Sequence, residues 1–172
     1  SSIGIGTYKG ADTDEADESW GEAIAAGLRG GINVIDAAIR YRRMRSEKRI
    51  GRVMRQLVKS GDIERSEIFL SSKAGLIGIP SGRDPDDYID REIVQHLNIS
   101  ESKIYRRIHC LEPAFFEHQL ATSLENLGVE TIDCYFVHNP ELNTPIDGAD
   151  ATYARLRDIF ELLEQAIADG RI

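Results

Sequence analysis

Four residues of different chemical types lie at the ends of apolar runs that are widely separated in the chain. Asp36 and Tyr41 follow one run, Lys73 ends a second, and His138 ends a third. If they shared a pocket, they could move a proton onto a carbonyl oxygen, because an ammonium stabilises a phenolate and an imidazole can hydrogen-bond the oxygen. The sequence therefore predicts general acid–base chemistry, provided that the fold brings the four side chains together.

Each of these residues also has an ordinary structural explanation. An aspartate at a strand end often caps the following turn. Lys73 can be a solvated strand end, and His138 can be a hydrogen-bonded turn residue. A free tyrosine has a pKa of about 10, so a tyrosine that acts near neutral pH needs a neighbour that stabilises its anion. The prediction depends on the coincidence of all four at successive strand ends.

The elements that must position these side chains are four units of one strand followed by one helix. The predicted strands and helices are Ile3–Thr7, 14–29, Ile32–Ala38, 47–60 with Ser46 as N-cap, Ile68–Ser72, 113–127, Ile132–Val137 and 151–168. Apolar strands separated by amphipathic helices indicate a parallel sheet covered by helices. Right-handed crossovers leave two arrangements, an open doubly wound sheet or part of a (β/α)8 barrel, in which strand ends surround one mouth.

Residues 75–112 interrupt this regular alternation. They contain several glycines and prolines, followed by an acidic stretch of helical character around Tyr88–Leu97. A connection this long is usually functional or disordered. We therefore expect residues 1–172 to form a single domain with a long loop insertion, which either covers the mouth or lies on the surface.

Composition excludes several classes of function. The chain is 41% hydrophobic and 29% charged, and its net charge of −8 argues against nucleic acid or an anionic membrane as the main partner. The sequence has neither an apolar run of the ~20 residues that span a bilayer nor a secretory leader pattern. Two isolated cysteines, Cys110 and Cys134, predict reduced packing residues and hence a cytoplasmic location.

The spacing of the histidines predicts no metal site. His109 and His118 are too far apart for the close ligand pairs of zinc sites, so we interpret them and His96 as structural. The chain also opens directly on a strand and closes just after Gly170 ends a helix. We therefore expect both ends to be cut from a longer chain; if the sheet belongs to a barrel, a half-barrel that dimerises into a full ring is the alternative.

The chain resembles the aldo-keto reductase superfamily, and the matching motifs follow the family's order through nearly all 172 residues. The motifs are Gly6-Thr7-Tyr8, Ile32–Ala38 with Tyr41, Ser46-Glu47, Ile50-Gly51, Ser72–Gly75, Gln119–Gly128, Asp133–Tyr135 and His138–Pro140. The resemblance implies an α/β fold, the (β/α)8 TIM barrel, of which this chain supplies about the first four βα units. It also implies reduction of aldehydes or ketones with NADPH, or less often NADH.

The resemblance also implies a role for each candidate residue. Tyr41 is the expected proton donor, Lys73 its activating neighbour, Asp36 the partner of the lysine, and His138 the group that orients the substrate carbonyl. The expected cofactor-binding residues are Gly6, Thr7, Tyr8 and Asp36. A small carbonyl compound is the expected partner, no metal is expected, and the oligomeric state is left open.

Several departures from the family pattern bear on substrate preference. Ala37 stands where the family commonly has threonine, and Arg42 stands where it commonly has glycine. Two extra residues precede Ser46, and the dense basic run Arg40–Arg45 indicates either an anionic substrate or a solvated turn.

Two other functions fit the same residues. One is a catalytically silent barrel that binds nicotinamide and serves as a regulatory module. The other is an unrelated barrel in which Lys73 forms a Schiff base with a carbonyl substrate.

Overall fold

A four-stranded parallel sheet carries the candidate site residues. The computed structural model describes all 172 residues apart from the side chain of Ile146. The strands are β1 (Gly4–Gly6), β2 (Val34–Asp36), β3 (Phe69–Ala74) and β6 (Cys134–Val137). They lie in the order β1-β2-β3-β6, so each strand of this sheet pairs with the sheet strand that follows it in the chain. This order excludes the open doubly wound sheet, whose strand order reverses at a switch point.

The register of the sheet places the polar candidates on one face. Asp36 pairs with Ser71 on the neighbouring strand, and Lys73 pairs with Phe136 on the next. Because side chains alternate between the two faces of a strand, these four share a face. His138 follows Phe136 by two residues, which continues the same alternation beyond the end of β6.

Helices cover the opposite face of the sheet. In chain order the helices are α1 (Asp14–Arg29), α2 (Arg45–Ser60), α3 (Pro85–Tyr88), α4 (Pro113–Leu127), α5 (Thr144–Asp147) and α6 (Ala149–Ala168). The four long ones pack in sequence, α1 on α2, α2 on α4 and α4 on α6. Between them and the sheet lie buried apolar side chains, including Ile24, Ile35, Ile50, Leu70, Leu120 and Ile132. None of the described helices is both long and apolar enough to cross a membrane.

Local sequence signals account for most helix boundaries, with one correction. The Thr13 hydroxyl accepts a hydrogen bond from the Ala16 N–H and caps α1 as an N-cap should. Helix α2 instead begins at Arg45, after Met44 in the left-handed conformation, and it has no side-chain cap. Ser46 is therefore not the N-cap, and its hydroxyl donates to the Thr7 hydroxyl at 2.7 Å.

The apolar residues of the amphipathic helices extend beyond the faces that actually pack. On α6, Ile159 and Leu163 are buried, whereas Phe160 and Ile167 are 53% and 57% exposed. On α2, Val58 is 41% exposed. Each helix packs through a narrow strip of its surface, so apolar residues at the edge of the stripe remain in solvent.

Residues 75–112 form ordered structure. Helix α3 continues as a π-helical segment, Ile89–Gln95, and a short hairpin follows, made of β4 (Ile104–Tyr105) and β5 (His109–Cys110). Ile89 and Ile93 are buried in a second apolar cluster that includes residues of α4 and α6. The segment is thus anchored to the helical layer by its own small core.

Ion pairs join the separate parts of the insertion to one another. The Arg107 guanidinium donates hydrogen bonds to the carboxylates of Asp86, Asp90 and Glu101. These bonds tie the hairpin to α3, the π-helical segment and the turn before β4. The hairpin is therefore held in place against the rest of the insertion.

Candidate active site

Lys73 lies at the centre of the candidate site. Its Nζ donates to both carboxylate oxygens of Asp36 at 2.7 Å and to the Ala37 carbonyl oxygen at 2.7 Å. The same nitrogen lies 3.2 Å from the hydroxyl oxygen of Tyr41. The Ser71 hydroxyl donates to the Asp36 carboxylate at 2.9 Å, which fixes that carboxylate from the neighbouring strand. The ammonium is thus held by a carboxylate and a carbonyl and faces the phenol.

Tyr41 contacts two aromatic rings at the end of the sheet. It is only 9% exposed, its ring centre is 5.1 Å from that of Tyr8, and it is 5.8 Å from that of His138. Both ring pairs meet edge to face. The backbone N–H of His138 donates to the Ala74 carbonyl at 2.7 Å, which extends the strand pairing to the histidine. The structure therefore brings Asp36, Tyr41, Lys73 and His138 together.

His138 is neutral at physiological pH. Burial, followed by the charges of Lys73 and Arg40, lowers the pKa of His138 to about 4. A neutral imidazole keeps one N–H donor. No hydrogen bond joins its ring to the residues that the structure describes, so this donor is available to a ligand.

At the end of β1 and in the loop that follows it, Gly6 and Tyr8 border open space, whereas Thr7 is buried. A side chain added at Gly6 would meet no atom within 4 Å, and Tyr8 is 59% exposed. Thr7 is buried, and both its N–H and its hydroxyl donate to the Asp36 carbonyl. Gly6, Tyr8 and Asp36 therefore border an opening beside Lys73, whereas the Thr7 side chain fixes the loop.

The basic run after Tyr41 is a strained turn stabilised by ion pairs. Residues 42–44 have consecutive positive φ angles of 50°, 53° and 66°, a conformation costly for side chains with a Cβ. The Arg42 side chain is 1% exposed, and its guanidinium donates to the Ala11 carbonyl at 3.0 Å and to Asp17 at 2.6 Å. Arg45 also donates to Asp17. Arg42 and Arg45 are therefore structural, and neither is a solvated turn residue.

Two contacts of the site were not identified from the sequence. Ser71 could have been found by parity, because it precedes Lys73 by two residues and so shares its face of β3. The contact of Arg42 with Asp17 joins a turn to the first turn of α1, 25 residues away in the chain, and no local pattern indicates it.

Other parts of the described structure offer no comparable chemistry. Among the described side chains, no group of three or more histidines, cysteines or carboxylates is arranged to hold a metal ion. A groove of about 730 Å³ beside α2, lined by Arg55, Arg65 and Asp133 among others, contains none of the candidate residues. The cluster around Lys73 is therefore the candidate active site.

Comparisons with known proteins identify the family. The model of the Aldo/keto reductase family matches residues 2–172. Aldose reductase B of Dictyostelium discoideum is 29% identical over 156 residues, which are 91% of this chain and 38% of that protein. An NADH-specific methylglyoxal reductase of Escherichia coli is 27% identical over 128 residues, 73% of this chain and 33% of that protein.

Solved structures of low sequence identity show the same fold. An aldo-keto reductase from Bacillus halodurans, in its holo form, superposes with a TM-score of 0.65 at 19% identity and covers 99% of this chain. One from Klebsiella pneumoniae, in complex with NADP and acetate, gives 0.60 at 20%. This chain covers 43% and 42% of those two chains, so it spans about two fifths of their length. The prediction of a partial (β/α)8 barrel is confirmed, and the chain belongs to the aldo/keto reductase family.

Proposed function

We propose that the protein is an NAD(P)H-dependent oxidoreductase that reduces aldehydes or ketones to alcohols, with Tyr41 as the proton donor. The observation that carries this proposal is the position of the Lys73 ammonium, 3.2 Å from the Tyr41 oxygen and 2.7 Å from the Asp36 carboxylate. Family membership supports the reaction type.

Each side chain of the cluster has a distinct part in proton transfer. The Tyr41 hydroxyl donates its proton to the substrate carbonyl oxygen as that oxygen gains negative charge. The Lys73 ammonium stabilises the phenolate that remains, and Asp36 keeps the ammonium charged and aimed at it. The neutral ring of His138 donates a hydrogen bond to the same carbonyl oxygen, which orients it and stabilises its charge.

The cofactor assignment rests on the opening beside β1. A reduced nicotinamide supplies the hydride for such a reaction when it is bound. Gly6, Tyr8 and Asp36 border open space, since a side chain at Gly6 would contact nothing, and we assign the nicotinamide ring to this space. We assign Thr7 to positioning Asp36, because its hydroxyl is buried and already bonded.

The relatives suggest small carbonyl compounds and leave the choice of cofactor to experiment. Their names refer to aldose and methylglyoxal, and one of them is NADH-specific. A solved neighbour was crystallised with NADPH. We therefore propose to test the full-length protein with aldoses, methylglyoxal and aromatic aldehydes, each with NADPH and with NADH.

Replacing Tyr41 by phenylalanine tests the proton donor. The variant keeps the ring but loses the acid, so we expect turnover to fall by roughly 10²–10⁴-fold, the range of general acid catalysis. Cofactor affinity should change little, because no cofactor contact is assigned to the Tyr41 hydroxyl. The measurements are NADPH oxidation at saturating substrate and a fluorescence titration with NADPH.

The control is Tyr153→Phe, which removes an exposed phenol from α6 and should leave turnover unchanged. Turnover retained by Tyr41→Phe would contradict the assignment of the acid. Nicotinamide binding by the unaltered protein, with no turnover of any carbonyl compound in the panel, would favour the regulatory module.

The Schiff-base alternative is disfavoured by the contacts of Lys73. A nucleophilic amine must be neutral. The Lys73 Nζ faces the Asp36 carboxylate and the Ala37 carbonyl, which both stabilise the charged ammonium. Borohydride treatment in the presence of substrate should therefore leave Lys73 unlabelled, and a reduced adduct on it would support the alternative.

A further inference from the structure

His109 lies directly behind the peptide that carries His138. It belongs to β5 of the insertion, and no part of it is exposed. Its Nε2 lies 2.6 Å from the His138 carbonyl oxygen, and its Nδ1 lies 2.8 Å from Nδ2 of Asn143, which is also buried. The sequence had suggested only a structural histidine here.

The partners of the ring determine where its proton lies. A carbonyl oxygen can only accept, so Nε2 must carry the hydrogen and donate it to His138. Burial lowers the pKa of His109, although the bond to His138 opposes this, so the ring is neutral. Nδ1 of a neutral ring is then an acceptor, which matches the amide N–H of Asn143. The three groups form one directed chain of hydrogen bonds, from Asn143 to His109 to the His138 carbonyl.

The backbone around His109 is shaped to permit this contact. Gly75, just after β3, has a φ of +125°, and a Cβ there would lie 2.9 Å from the His109 Nε2 and 3.0 Å from the His138 oxygen. Leu76 forms a β-bridge with His109, and the Cys110 N–H donates to the Gly75 carbonyl. The hairpin is therefore fixed to the end of β3, two residues beyond Lys73.

The peptide after His138 needs such a support. Asn139 has a φ of +50°, a left-handed conformation that most residues avoid. A residue in that region persists when surrounding contacts over-determine it. The hydrogen bond from His109 to the preceding carbonyl is one such contact, and it sets the direction of the turn from which the His138 side chain projects.

We propose that His109 is a positioning residue that holds the His138 imidazole in place for the substrate carbonyl, with Asn143 fixing the tautomer of His109. This inference rests on the proposed function, because it assigns to His109 an effect that passes through His138. It gives the insertion a part in the reaction, since β5 carries the supporting ring.

The first test compares two replacements of His109 in the full-length protein. His109→Leu removes the donor, and we expect kcat/KM for the carbonyl substrate to fall by about 10–100-fold, the scale of a misplacement of about 1 Å. His109→Gln retains an amide N–H that can reach the His138 oxygen, so it should restore most of that loss. NADPH affinity should be unchanged in both variants. The matched control is His96→Leu, in the same insertion but exposed, which should leave kcat/KM unchanged.

A double-variant cycle separates positioning from a general loss of structure. In a His138→Ala background, His109→Leu should cause little further loss of turnover, because its effect already depends on the missing ring. If the two losses multiplied, or if His109→Gln lost as much as His109→Leu, the inference would be wrong. Wild-type protein without turnover on any carbonyl compound would instead contradict the proposed function.

A second measurement does not use activity. Nitrogen NMR of the four histidine rings distinguishes the tautomers, and His109 should appear as the neutral Nε2–H form at pH 7. An Nδ1–H form of His109 would overturn the inference whatever the kinetics showed. In the Asn143→Leu variant, the Nδ1 signal should shift because its hydrogen-bond donor is lost.

Discussion

At the scale of single residues, the site depends on an ion pair between side chains of two neighbouring strands, Lys73 of β3 and Asp36 of β2. The Lys73 ammonium is largely buried, with its side chain 15% exposed, and the Asp36 carboxylate beside it is held by Ser71. The Asp36 side chain is itself 42% exposed, but its removal would leave the largely buried ammonium without a carboxylate to balance its charge. Asp36 is therefore needed for the integrity of the site as well as for the orientation of Lys73.

The pH dependence of stability should reflect His138. Its pKa is about 4 in the folded chain against 6.5 for an unperturbed histidine, so the unfolded chain binds more protons between these values. The free energy of unfolding should therefore decrease as the pH falls from about 6.5 towards 4. Urea denaturation at several pH values measures this decrease, which should be smaller in a His138→Gln variant.

Other histidines also contribute to the pH dependence of stability. Burial also lowers the pKa of His109 and of His118, so some decrease should remain in the variant. An identical pH dependence in wild-type protein and in His138→Gln would contradict the prediction.

The sequence could indicate the four reactive residues and, through strand parity, Ser71, but not the support behind His138. Lys73 and His138 lie at strand ends, where position alone suggests chemistry. His109 lacks any such signal, because its contact with His138 spans 29 residues and depends on the register of the hairpin. A periodic pattern describes one element and cannot show which element lies behind it.

At the scale of elements, a buried carboxyl joins α2 to two neighbours. Glu47 is fully buried and accepts hydrogen bonds from Ser72 of β3 at 2.6 Å and from Asn126 of α4 at 3.0 Å. Burial raises the pKa of Glu47 above its usual value, while both hydrogen bonds oppose this. Between pH 4.5, the ordinary pKa of a glutamate, and its raised pKa in the folded chain, the folded chain binds more protons than the unfolded chain, so this group makes the protein less stable as the pH rises through that interval.

Glu47→Gln should remove that pH dependence, because an amide does not titrate. The Glu47→Leu variant leaves the buried Ser72 hydroxyl and the partly buried Asn126 amide without their partner and should lose roughly 1–3 kcal/mol, mostly through Ser72. Chemical denaturation at a series of pH values from 4.5 upwards measures both effects. Equal stability losses in the two variants would show that the hydrogen bonds are unimportant.

The contact between α2 and α4 depends on a glycine. A Cβ at Gly51 would lie 2.4 Å from the Leu127 carbonyl oxygen and 2.6 Å from that of Asn126, both backbone atoms. We expect Gly51→Ala to destabilise the protein by about 1–3 kcal/mol, the usual cost of overpacking, although alanine favours helix.

Gly27→Ala in α1 is the matched control. Its added Cβ approaches most closely the end of the flexible Ile5 side chain, at 2.7 Å, and this atom can move aside. Thermal unfolding should therefore show a clear decrease in Tm for Gly51→Ala and little change for Gly27→Ala. Equal decreases in Tm would contradict the proposed backbone contact.

Helix boundaries show where local signals are sufficient. Thr13, Pro113 and Gly128 mark helix ends by their own conformational preferences, and the structure places ends there. The prediction that Ser46 is the N-cap was wrong because three left-handed residues lengthen the preceding turn. Ser46 therefore lies inside α2. Its hydroxyl then contacts Thr7, a tertiary contact that no local motif encodes.

At the scale of the whole molecule, the face that carries Asp36 and Lys73 also exposes apolar side chains. Phe69 is 47% exposed and Phe136 is 48% exposed. A chain confined to residues 1–172 should therefore bind the dye ANS and self-associate, since exposed apolar patches promote association. Changing both phenylalanines to glutamine should reduce dye fluorescence, whereas Val58→Gln on the helical layer should not.

The architecture was more predictable than its details. Four strand–helix units in one chain restrict the fold to two parallel arrangements, and the motif order indicated a barrel of the family that the comparisons confirm. In residues 75–112 the helical character around Tyr88–Leu97 was predictable, but the path of the segment was not. Its hairpin and π-helical segment are fixed by contacts with α4 and α6 rather than by a pattern of their own.

The loop that carries Tyr8 and the loop that carries Tyr41 are joined twice, through Arg42 to the Ala11 carbonyl and through Ser46 to Thr7. A change in the path of the Tyr8 loop would therefore disturb contacts with residues on both sides of the turn that follows Tyr41, and so the position of the acid. Efforts to enlarge the entrance for bulkier compounds should begin at Tyr8 alone and leave both tethers intact.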